Sequence, residues 1–142
     1  MNSEKQKILV TGVSSFVGCH LARGFSRKNE WEVLVTGSRN PEDYKNHRAE
    51  RVEFCLRENE WTVLNLEDES GIKQFIGKVR PGIWIHHAGY ATNYASPEYD
   101  TIKGHEINVA PLRHIYEALA QNGCRGVVVT GSSMEYSDTN KP

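Results

Sequence analysis

Short apolar runs alternate with amphipathic stretches along the chain. ILVT at 8–11 is a continuous apolar run, the pattern of a strand buried on both faces. From Phe16 to Lys28 the apolar positions Val17, Leu21 and Phe25 recur every four residues and mark one face of a helix. WEVLV at 31–35 predicts a second strand, Asn40-Pro41 a turn, and 41–50 a polar, weakly helical stretch. Val52-Glu53-Phe54 reads as a short extended piece and TVLNL at 62–66 as a third strand. Ile72, Phe75, Ile76 and Val79 give 68–79 a helical period, and Pro81-Gly82 breaks it. IWIHHAG at 83–89 predicts a fourth strand running into a loop that holds Tyr90, Tyr94 and Tyr99. A helix is expected over 101–121, with Leu112, Ile115 and Leu119 on one face and Pro111 kinking or restarting it. Asn122-Gly123 caps it, and GVVVTGSS at 126–133 predicts a fifth strand.

Strands alternating with helices predict an α/β fold, a doubly wound parallel sheet with ligands at the carboxyl ends of its strands. The 142 residues suit one domain, 1–142, without repeats or a linker. A complete six-stranded dinucleotide fold needs at least one more helix and strand, so the sequence is expected to be incomplete at its C-terminus.

Composition changes this picture little. Hydrophobic residues make up 38% and charged residues 25%, and the formal net charge is −1. That balance gives no electrostatic reason to expect nucleic acid or an anionic membrane as partner. No apolar run reaches the ~18 residues of a membrane span. Cys19, Cys55 and Cys124 form neither a CxxC pair nor a disulfide framework, which predicts reduced thiols and a cytoplasmic setting. His86 and His87 are adjacent on a strand and point to opposite faces, so no metal site is expected.

Candidate chemistry gathers at the predicted strand ends. In TGVSSFVG, Gly12 suits a sharp turn and Gly18 a close helix–sheet approach, while Ser15 stands where a third glycine would let the backbone approach a phosphate. A plain strand-to-helix corner is the competing reading of this stretch alone. After the second strand, VTGSRN offers no carboxylate for ribose hydroxyls. Ser38 and Arg39 offer a hydroxyl and a guanidinium, which favours NADP over NAD.

Four stretches carry a resemblance. TGVSSFVGCHLARGF resembles the TGxxGFIGxxL opening of the extended short-chain dehydrogenases, the NAD-dependent epimerase/dehydratase superfamily. IHHAG resembles that family's HLAA or NNAG segment, INVAPLRHIYEALAQNGC its NVxGTxxLLEAA helix, and VVVTGSSMEY its VxxSSxxVYG strand. The resemblance implies a Rossmann-type dinucleotide-binding fold of about five strands here. It implies cofactor contacts from Gly12, Ser14, Ser15, Phe16, Val17, Gly18, Ser38, Arg39, Asn65, Leu66, His87, Ala88, Gly89 and Asn108, the last as a brace. By register Ser132 matches the catalytic hydroxyl; the family's YxxxK pair lies beyond this sequence. The implied protein is a sugar-nucleotide epimerase or reductase whose substrate is a nucleotide sugar or a similar small carbonyl or alcohol compound. The 142-residue chain itself is expected to turn nothing over, and an open sheet edge makes a homo-oligomer a further expectation. Two other classes share the element order: a complete, non-enzymatic nucleotide-binding module, and a flavodoxin-like interaction domain with no cofactor.

Overall fold

The computed structural model describes residues 5–131. Five strands form one parallel sheet in the order β3-β2-β1-β4-β5, with β1 at Gln6–Val10, β2 at Trp31–Gly37, β3 at Trp61–Val63, β4 at Ile83–His86 and β5 at Gly126–Val129. The expected doubly wound, Rossmann-like arrangement is present. Strand β1 is central because both of its faces are apolar: Ile8, Leu9 and Val10 are 0–1% exposed. Their side chains alternate between two cores. Leu9 and Trp84 pack with Ile72, Ile76, Ile115 and Leu119 from α3 (Glu69–Val79) and α5 (Leu112–Gln121). Ile8, Val10 and Ile85 pack with Cys19 and Ala22 of α1 (Phe16–Ser26) and Cys55 of α2 (His47–Leu56). One layer of helices therefore lies on each face.

Several elements depart from the pattern-based expectation. Val52-Glu53-Phe54 is helical, not extended, because Val52 and Cys55 together bury one side of α2. Tertiary burial here overrides the β-propensity of valine and phenylalanine. Strand β3 stops at Val63, not Leu66. The amide of Leu64 still bonds to the Gly37 carbonyl at 2.8 Å, but Asn65 then turns the chain, accepting the Glu67 amide at its side chain and the Asp68 amide at its carbonyl. The helix expected over 101–121 is two: α4 (Thr101–Asn108) and α5, separated at Pro111, which has no amide to continue the ladder. The chain end of α5 is capped as expected, with Gly123 at φ +77°.

Strand β5 is at an edge. Although three of its four residues are valines, Val127, Val128 and Val129 are 40–52% exposed among the described residues. The centre and the edge of the sheet should therefore respond differently to truncation. Leu9→Ala removes packing between Trp84 and the α3–α5 layer and should cost about 2–5 kcal/mol, whereas Val128→Ala should cost less than about 1 kcal/mol. Urea denaturation should show this as a large and a small shift of midpoint at nearly constant m.

Candidate functional site

The carboxyl ends of β1, β2 and β4 open into a cavity of about 520 Å³. Its floor is made where β1 meets β4. The Thr11 hydroxyl is buried and accepts the backbone amides of both His87 and Ala88 at 3.0 Å. Gly12 follows at φ +71°, and a Cβ there would lie 2.6 Å from the Ala88 nitrogen. Only glycine fits both the dihedral and the contact. Gly18 packs against the Gly12 carbonyl so closely that a Cβ there would overlap it. The two glycines thus bring the first turn of α1 hard against the sheet, as the sequence pattern requires.

Ser15 is the N-cap of α1. Its Oγ accepts the Gly18 amide at 2.9 Å, and its own amide bonds to the Gly12 carbonyl at 3.1 Å. The sequence places Ser15 as a missing glycine. The geometry gives it a structural task, satisfying one of the orphan amides that a phosphate-binding helix start otherwise presents. Its hydroxyl proton stays available to an anion. Beneath the turn, burial pushes the Cys19 thiol up, and burial with the neighbouring Cys19 pushes Cys55 up to about 12. The Cys19 thiol donates to the Phe16 carbonyl at 3.1 Å and the Cys55 thiol to the Val13 carbonyl at 3.9 Å, so both are protonated supports rather than nucleophiles.

At the β2 end, Ser38 and Arg39 line the cavity with Tyr44 and Arg48. A Cβ on Gly37 would overlap the Trp61 ring and lie 2.7 Å from the Tyr44 hydroxyl. Trp61 donates its indole N–H to the Arg39 carbonyl at 3.0 Å and meets Tyr44 edge-on at 5.7 Å. The Arg39 guanidinium lies 5.3 Å over the Tyr44 ring. This corner therefore presents two guanidiniums, Arg39 on a fastened loop and Arg48 on the first turn of α2.

At the β4 end the cavity wall is His87, Ala88 and Gly89. His87 Nδ1 lies 2.6 Å from the Thr130 hydroxyl of the β5 exit. His86 points the other way and is 4% exposed, its ring stacked on Trp84 with Nδ1 accepting the indole N–H at 3.2 Å. Burial lowers the pKa of both imidazoles, with the neighbouring His87 adding to the effect on His86. Asn108 braces the loop after Gly89: its Oδ1 accepts the Tyr90 amide at 2.6 Å and its Nδ2 donates to the Tyr90 carbonyl at 3.0 Å.

Of the candidates read from sequence, Gly12, Ser14, Ser15, Ser38, Arg39, Asn65, Leu66, His87, Ala88 and Gly89 line this one cavity. Gly18 and Asn108 shape it from behind, and Phe16 and Val17 face outward at 64% and 48% exposure. Ser132 lies outside the described residues. Sequence reasoning missed Thr11, Tyr44, Arg48 and Lys103. Thr11 was visible in the Thr-Gly pair; Arg48 depends on the helical register of α2, and Lys103 on where α4 packs. Among the described residues no cluster of three or more metal-ligating side chains occurs, and no helix is long and apolar enough to cross a membrane.

Residues 8–142 match the model of the NAD dependent epimerase/dehydratase family. The chain is 26% identical, over 99% of its length, to a UDP-glucose 4-epimerase of Pisum sativum, and spans 41% of that protein. Among solved structures it resembles the UDP-Glc/GlcNAc 4-epimerase of Campylobacter jejuni, with a TM-score of 0.77 and 18% identity over 96% of this chain and 40% of that one. It also resembles the UDP-glucose 4-epimerase of Thermus thermophilus in complex with NAD, with a TM-score of 0.67 and 23% identity over 86% of this chain and 36% of that one. These structural likenesses concern the fold.

Two measurements test the site's internal chemistry. Ser15→Ala should lower stability by about 1 kcal/mol through the lost cap, and Ser15→Gly by only a few tenths. The depressed histidines give a second expectation. The folded state favours neutral His86, so this stability is fully present above the ordinary histidine pKa of 6.5 and is lost as pH falls through the lower folded value. The urea midpoint should fall between about pH 7 and 5, and less steeply in His86→Gln.

Proposed function

The chain belongs to the NAD dependent epimerase/dehydratase family, and from that premise we propose that its cavity holds the adenosine and pyrophosphate of a dinucleotide, NADP(H) in preference to NAD(H). The observation that carries the reading is the Gly12–Ala88 contact: a turn at φ +71°, packed on the β4 backbone so closely that any side chain at 12 would clash with it, brings Ser14 and Ser15 at the start of α1 into the cavity wall beside Ala88. The residues present therefore fit the group. The amide and hydroxyl of Ser14 and the hydroxyl of Ser15 would face the pyrophosphate, strengthened by the dipole of α1. Ala88 and Gly89 leave room beside β4, and Asn65 and Leu66 border the adenine side.

The nicotinamide preference rests on the β2 corner. Arg39 and Arg48 line the cavity there, beside Ser38, where a carboxylate would repel a 2′-phosphate. A guanidinium pairs with such a phosphate by two parallel hydrogen bonds.

The wider protein is proposed to be a sugar-nucleotide epimerase or reductase. The bound nicotinamide supplies hydride exchange with a substrate carbon; the residues described here bind and orient. Ser132 is proposed to hold the substrate oxygen by hydrogen bond, and it cannot by itself take up that oxygen's proton near neutral pH. In this reading none of the residues described here is assigned the proton-accepting role. Free, largely buried thiols at Cys19 and Cys55 support a cytoplasmic setting. One domain spanning 1–142 is part of the same proposal.

Calorimetric titration at fixed salt tests it. NADPH should bind more tightly than NADH, and Arg39→Ala should weaken NADPH by about ten- to a hundredfold while leaving NADH nearly unchanged, the cost of a lost charge-assisted contact. Equal affinities in both proteins would overturn the NADP preference, and no binding of either would overturn the dinucleotide reading.

A further inference from the structure

The cavity's cations are divided between two walls. Arg39 and Arg48 stand at the β2 end, and Lys103 of α4 stands on the wall beside Tyr90 and Thr92. The turn at the start of α1, TGVSSFVG, contains no cation of its own. Resting on the dinucleotide reading, we infer that Lys103 is the cation that neutralises the pyrophosphate, reaching across the cavity from α4 to the turn opposite.

Local packing holds the lysine in place for this. Asp100 caps α4, its carboxylate accepting the backbone amide of Lys103 at 3.0 Å, so the residue is fixed in the first turn of the helix. Ile107, one turn later on the same side, also lines the cavity, so this stripe of α4 faces it. The Tyr99 ring lies over the same turn because residue 104 is glycine; a Cβ there would overlap the Tyr99 hydroxyl. Tyr99 in turn lies against Tyr90, tilted, with ring centroids 5.7 Å apart, and the Lys103 ammonium lies 5.2 Å over the Tyr90 ring. Asn108 locks the Tyr90 backbone at both its amide and its carbonyl. Among the described residues no carboxylate forms an ion pair with Lys103.

An exposed lysine whose ammonium rests on a half-buried ring, with no carboxylate partner, is weakly held, and it exchanges that contact for a phosphate at little cost. A flexible stem suits it to a point charge rather than to planar recognition. The division of charge also matches the ligand. Two guanidiniums at one end and an ammonium at the other fit a molecule with two separated anionic groups, and only the diphosphate lies on the side of the turn.

AMP and ADP distinguish this role because only ADP carries the second phosphate. By calorimetry on the 142-residue chain, Lys103→Met should weaken ADP about tenfold and AMP by less than about threefold, and Lys103→Arg should retain most of the ADP affinity. Added salt should weaken ADP binding less steeply in Lys103→Met than in the parent chain. The thermal midpoint of the unliganded variant should match the parent, which a merely structural lysine would not give. If Lys103→Met binds ADP as the parent does, or loses both nucleotides equally, the lysine's role is overturned while the dinucleotide reading stands. If the parent chain binds neither nucleotide, both fall together.

Discussion

The close approach of β1 and β4 at Gly12 is the constraint on which the site depends. A backbone at φ +71° and a contact of 2.6 Å from its would-be Cβ to the Ala88 nitrogen exclude every side chain there. The Thr11 hydroxyl then ties the His87 and Ala88 amides to the end of β1. Two strands that are hydrogen-bonded neighbours in the sheet are thereby kept together one residue beyond it, where parallel strands normally splay into their crossovers. The floor of the cavity is made of backbone, and its shape does not vary with rotamers.

From that floor the rest follows in order. Because Gly12 turns sharply, Gly18 can sit on the Gly12 carbonyl, and α1 begins against the sheet rather than above it. Because α1 lies so low, its underside meets α2, and the small thiols of Cys19 and Cys55 fill the space between them. Burial keeps both thiols protonated, so their hydrogens remain available to the carbonyls of Val13 and Phe16. The groups that would face a phosphate are thus supported from beneath by groups that carry no charge. A cation there would compete with the site for its anion; a charged thiolate would repel it.

The glycine turn, the buried β1 run and the helix periods of α1, α3 and α5 were legible in the sequence because each follows from one local rule. Burial on both faces needs an unbroken apolar run, as in Ile8–Val10, and the four-residue repeat of Val17, Leu21 and Phe25 located α1, although its buried residues are Gly18, Cys19 and Ala22 and Val17 faces outward. Val52–Phe54 was misread because three residues contain no period, and what decides their state is the contact of Val52 and Cys55 with the rest of the core. The valines of β5 illustrate the complementary point. Composition records that a strand is apolar; position in the sheet decides how much of it is covered. Ser15 lines the cavity, but its bond to Gly18 is a matter of rotamer that spacing does not express.

The charged residues were the least legible part of the site, and the reason is physical. A glycine at a tight turn is required by geometry that the neighbouring residues announce. Arg48 and Lys103 reach the cavity from helices remote in sequence from the turn, and any long cationic side chain on a helix surface looks the same in sequence. What singles out Lys103 is assembled from four separate places: the Asp100 cap, the Gly104 gap filled by Tyr99, the Tyr90 ring and the Asn108 clamp. Electrostatic specificity at this site is therefore a property of how α4 packs on the loop after β4, while the shape it acts upon is set by a single glycine.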